Sequence, residues 1–106
     1  MEAFQDYRSL VPAGRGGVGK ASLFASERLL LGLNALDSGV EQAVHTHEDQ
    51  DKFYHVLEGR GEFTVGAVVR EVGPGYTVWA PAGVDHGVRN RGTGRLVLLV
   101  GIAPAP

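Results

Sequence analysis

The chain has 106 residues, 43% hydrophobic and 21% charged, a net charge of −2 and no cysteine. That length suits one domain around one core. The composition excludes disulfides, thiol catalysis and cysteine-held zinc, gives no basic footprint for nucleic acid or a membrane surface, and contains no apolar run of membrane-spanning length.

The opening residues lack the charged-then-apolar pattern of a signal peptide, so a cytoplasmic chain is expected. Residues 1–20 read as an N-terminal arm, followed by one domain over residues 21–106. Phe4, Tyr7, Leu10 and Val11 can cover one end of a core, while residues 12–17 are loop-like. Gly14 to Lys20 matches the start of a phosphate-binding loop, G-x-x-x-x-G-K. Ala21 stands where that motif needs a Ser or Thr for magnesium, so the stretch reads as a glycine-rich loop.

Residues 21–36 have helix-friendly composition, but their glycine context and the apolar run from Leu29 to Leu36 favour two strands. A turn at Asp37-Ser38-Gly39 leads through residues 40–44 into His45-Thr46-His47, and residues 48–51 form an acidic loop. Residues 53–57 read as a strand, and residues 62–65 and 68–72 flank Gly66-Ala67 as a hairpin. Residues 76–80, 84–89 and 95–102 complete a count of about eight to ten short strands, the pattern of an all-β sandwich or barrel with little helix.

Alternate strand residues share a face, so His45 and His47 are expected about 7 Å apart along one strand, within reach of one metal ion. His86 lies between two β-like runs and supplies a third imidazole. Three imidazoles so placed suit a divalent ion.

Gly75, Pro81, Gly83, His86 and Asn90 are separated by five, one, two and three residues, a spacing that resembles the second motif of the cupin superfamily. Gly39, His45, His47 and Gly59 resemble the first motif, and the fifteen residues from Gly59 to Gly75 are similar to the short spacer of compact single-domain microbial cupins. The resemblance implies a single jelly-roll (cupin) β-barrel with one metal near its centre. Pro81 stiffens the turn that presents His86, and Asn90, two alternations further on, is expected to face inward and hydrogen-bond rather than ligate.

One position departs from the pattern. The glutamate of the first motif would stand five residues after His47 and seven before Gly59, and both counts land on Lys52. A protonated lysine cannot ligate a cation. Three readings stay open: a site of His45, His47 and His86 with water in the remaining positions, a substitute ligand from Asp51 or Gln50, or a barrel with no physiological metal. The three-histidine reading comes first, with iron, nickel, zinc and manganese all admissible. Neutral ligands leave the ion's double charge in the cavity, which favours an anionic substrate or a bound hydroxide.

Alternation from Lys52 turns Tyr54 and Val56 inward, and the expected pocket wall is Tyr54, Val56, Phe63 and Val78, with Val88 near His86, although Phe63 reads rather as plain core. The ammonium of Lys52 is expected to reach out to solvent along its stem, with an inward base as the alternative. His55 faces out. Phe53, Leu57 and Trp79 face out too, forming an apolar patch that suits a homodimer interface unless residues 1–12 fold back over it. The functional expectation is a metal-dependent enzyme acting on a small molecule, with oxygenation or isomerisation the reactions the resemblance implies. A non-catalytic module that binds a small anionic or sugar-like ligand is the alternative, and a purely structural barrel the third possibility.

Overall fold

Period-two alternation builds about half of the chain into strands in the computed structural model, which describes residues 2–106. The strands are β1 (Val18–Ala25), β2 (Leu30–Leu36), β3 (Glu41–His45), β4 (Asp51–Glu58), β5 (Gly61–Val65), β6 (Val68–Val72), β7 (Thr77–Ala80), β8 (His86–Arg89) and β9 (Leu96–Ala103). Among the described residues the one helical element is a 3₁₀ turn at Tyr7–Ser9, and no helix is long and apolar enough to cross a membrane.

All pairings are antiparallel. One sheet has the order β1-β2-β9-β4-β7 and the other β3-β8-β5-β6. The first contributes Leu36, Tyr54, Val56, Leu96, Leu98 and Val100 to the core; the second adds Phe63, Val72 and Val88. Tyr54 and Phe63 meet across the gap with ring centres 5.3 Å apart.

The five-stranded sheet is covered on its other face as well. Leu33, Ala35 and Val97 alternate with the core positions, yet are 0%, 2% and 0% exposed. The N-terminal arm lies across this side: Ala3, Phe4 and Tyr7 share a surface hollow with Leu31, Leu57 and Leu99, and the Tyr7 hydroxyl donates to the Glu58 carboxylate at 3.4 Å. A strand buried on both faces reads as a continuous apolar run, which is the sequence of β9.

The helix-friendly composition of residues 21–36 yields to sheet pairing, and β1 begins at Val18, inside the stretch read as arm. The outward patch is broken up. Trp79 is 56% exposed, but the Phe53 ring lies against Gly101 and Leu57 meets the arm, leaving both half-buried.

Gly59 sits at the β4–β5 connection with φ +79°. A methyl group there would run into the Arg95 carbonyl oxygen and come within 3.1 Å of the Leu96 Cα, so backbone conformation and space both demand glycine. Gly59→Ala is expected to destabilise the fold by about 3 kcal/mol, read as a lower urea midpoint at unchanged slope.

Candidate metal centre

The site begins with a strand pair. β3 and β8 run antiparallel with His45 directly opposite His86. Gly87 lets them close: a Cβ there would lie 2.9 Å from the Gln42 carbonyl oxygen and 3.0 Å from the Val44 nitrogen. The register slips between Gln42 and His45, a bulge that re-aims the end of β3.

His47 is not placed by strand alternation. β3 ends at His45, and Thr46 and His47 lie in the following loop. The turn before β8 holds that loop: the Gly83 N–H donates to the His47 carbonyl at 2.8 Å, and the Thr46 hydroxyl donates to the Asp85 carboxylate. The segment that presents His86 therefore also fixes His47.

The three rings form one cluster. Their centres are 4.7 Å apart for His45–His47, 4.4 Å for His45–His86 and 5.6 Å for His47–His86. One nitrogen from each lies within 4.8 Å of the other two. His45 Nδ1 faces the Ala43 carbonyl at 2.8 Å and His86 Nδ1 faces the Val84 carbonyl at 3.0 Å. A carbonyl only accepts, so in both rings Nδ1 carries the proton and Nε2 keeps a lone pair. His86 Nε2 is buried and has no hydrogen-bond partner, an arrangement that suits a metal ligand. Burial, followed by the neighbouring His45 and Lys52, holds the His47 pKa below the ordinary histidine value. Burial is also the main cause for His86, partly offset by its bond to Val84. Both shifts favour the neutral, ligating ring.

The proposed substitute ligands are engaged elsewhere. The Asp51 carboxylate accepts the Ala82 N–H at 2.9 Å, and the Gln50 amide donates to the Pro104 carbonyl at 3.1 Å. His55 stands apart with its Nδ1 2.6 Å from the Thr77 hydroxyl.

Lys52 corrects the expectation that its ammonium reaches solvent. It is 6% exposed, with Nζ 4.8 Å from the centre of the Tyr54 ring. Its place near the start of β4, paired with Ala80 on β7 and Ile102 on β9, aims the stem at the interior. Among the described residues it has no ion-pair partner. Burial, with Lys20 as the second cause, pulls its pKa down to about 8. Burial also pushes the Tyr54 phenol above its ordinary value, and the hydroxyl has no partner.

Of the expected inward wall, Tyr54, Val56, Phe63 and Val88 belong to the closed core, with Val78 packed against it. Asn90 is inward and 1% exposed, but its amide clasps a loop: it donates to the Leu36 and Gly94 carbonyls at 2.9 and 2.8 Å and accepts the Gly92 N–H at 3.0 Å. The open interior lies elsewhere, in a cavity of about 310 Å³ bordered by Lys52 and by Lys20, Ser22 and Asn34. Sequence reasoning places Lys20 in a glycine-rich loop rather than on β1 and gives Ser22 and Asn34 no part in a site. The available signal was a polar Asn34 inside the apolar run from Leu29, in phase with Leu36.

Residues 33–102 match the family model described as Cupin domain. An uncharacterized protein of Streptomyces coelicolor is 42% identical over 64 residues, covering 59% of this chain and 60% of the relative, so the match leaves two-fifths of that protein unspanned. A crystal structure of a Thermus thermophilus protein is similar over 99% of this chain and all of the other, with TM-score 0.94 and 40% identity. A Thermotoga maritima structure described as a predicted oxalate decarboxylase has TM-score 0.78 and 24% identity, covering 83% of this chain and 81% of that one; at that identity the likeness is one of fold.

The buried ammonium has a thermodynamic signature. Folded Lys52 releases its proton near pH 8, whereas the unfolded side chain holds it to about 10.5, so folding expels a proton between those values and stability rises with pH across the window. Lys52→Met is expected to stabilise the protein by up to about 3 kcal/mol at neutral pH and to flatten that rise. Chemical denaturation at several pH values measures both effects.

Proposed function

Because this chain belongs to the cupin family, we propose that His45, His47 and His86 hold one divalent ion and that the protein acts on a small anionic molecule there. The observation that carries the reading is the pair of Nδ1–H bonds to the Ala43 and Val84 carbonyls, which leave an Nε2 lone pair on each ring, that of His86 buried and without any partner. When bound, the ion supplies a Lewis acid with positions open to a substrate oxygen. Imidazole ligands admit iron, nickel, zinc or manganese.

The chain's own residues perform three tasks. The core around Tyr54, Val56 and Val88 excludes water from one side of the histidines. The turn that carries Gly83 and Asp85 fixes the loop of His47. Lys52 holds or releases a proton at Nζ, and its pKa near 8 suits a group that exchanges protons at neutral pH. Within the enzyme reading, this proton-transfer capacity favours isomerisation over oxygenation. A non-catalytic binding module is the second reading, favoured by the lack of any carboxylate ligand beside the histidines among the described residues.

Titration calorimetry with zinc, nickel and manganese tests the site. One ion per chain is expected, with affinity falling only once pH drops below the ordinary histidine value of about 6.5, where the His47 and His86 rings, their pKa values lowered, take up protons. His86→Ala should lose most of the affinity; unchanged stoichiometry in that variant would overturn the assignment. Removing the neighbouring positive charge with Lys52→Met should tighten binding, and Lys52→Glu should tighten it further by adding an acceptor oxygen.

A further inference from the structure

The cavity of about 310 Å³ beside Lys52 has no assigned use. Its polar border is Lys20 and Ser22 from β1, Asn34 from β2 and Lys52 from β4; its apolar wall includes Leu30, Val100, Ile102 and Pro106. No Asp or Glu lines it. Lys20 and Lys52 have no ion pair among the described residues, and Lys52 is only 6% exposed. An ammonium withdrawn from water without a partner is costly, and a second amine at the same cavity raises that cost. The local charge is unbalanced, and the cavity is where a balancing anion fits.

We propose that this cavity receives the carboxylate of a small organic acid, paired with Lys52 and Lys20, while the acid's apolar body lies against Leu30, Val100 and Ile102. Asn34 and Ser22 supply neutral donors at its edge. The volume stands at the small end of the range for ligand sites, which fits a compact molecule. The aliphatic half of the wall suits an apolar body better than a phosphoryl group, which presents acceptor oxygens on several sides. The proposal deepens the metal-dependent reading and rests on it for the other end of the ligand, which would face the histidines. Lys52 links the two regions: it borders the cavity, and its charge is felt at both His47 and His86.

Benzoate, benzamide and inorganic phosphate, titrated by NMR into the metal-free full chain near neutral pH, test the anion end alone. Benzoate should bind saturably below roughly 20 mM, with benzamide and phosphate weaker. Lys52→Met and Lys20→Met should each weaken benzoate by about tenfold or more. Lys20 is exposed, so its variant remains informative even if the Lys52 variant repacks. Arg8→Met, at an exposed position outside the cavity, should bind benzoate as the parent does. Benzamide binding as well as benzoate, both lysine variants binding like the parent, or no saturable binding would each overturn the proposal; tighter phosphate would replace the carboxylate with a phosphoryl ligand. A parent chain that takes up no divalent ion while its benzoate binding stays intact would sink the metal reading and leave this one standing.

Discussion

The close approach of β3 to β8 is the contact on which the site depends. It sets His45 opposite His86, and it exists because Gly87 leaves the Gln42 carbonyl and Val44 backbone room to come in. The backbone then prepares both rings, each donating Nδ1–H to a carbonyl two residues earlier in the chain. Ring orientation and tautomer thus follow from strand geometry rather than from a separate shell of side chains. His47 joins through the turn that precedes β8.

The interior divides into two chemically different parts. Around Tyr54, Phe63 and Leu98 it is an ordinary close-packed core. Toward Ile102 and Lys20 it becomes polar and open, with Asn34 reaching Gln42 across the two sheets at 3.5 Å. Lys52 sits at the boundary, its cation against the Tyr54 ring face. That ring contact attracts the charge without neutralising it, so the ammonium stays available to an incoming partner.

Much of this arrangement was legible in the sequence because it rests on spacing. The glycines, Pro81 and His86 recur at intervals that sheet turns impose, parity from Lys52 puts Tyr54 and Val56 inside, and nearness to His86 does the same for Val88. What escaped notice depended on tertiary neighbours. His47 read as a strand residue because H-x-H fits alternation, and nothing local announces the bulge between Gln42 and His45. Lys52 was assigned inward by parity but outward by the habits of lysine; the packing of β7 and β9 on either side decides the matter. Lys20 and Asn34 become neighbours of Lys52 only when β1, β2, β9 and β4 stand side by side.

The place of β9 carries a consequence for biogenesis. Ninth of the strands in sequence, it lies in the middle of the five-stranded sheet, with β2 on one side and β4 on the other. Until it is synthesised, β2 and β4 have no shared partner, and their apolar faces stay open to water. The sheet therefore cannot assemble progressively as the chain leaves the ribosome, and its completion waits on contacts between distant residues, which are slow to form. In that interval Leu33, Leu36, Tyr54 and Val56 belong to unpaired strand edges, the part of a nascent β-protein most exposed to aggregation and to chaperone capture.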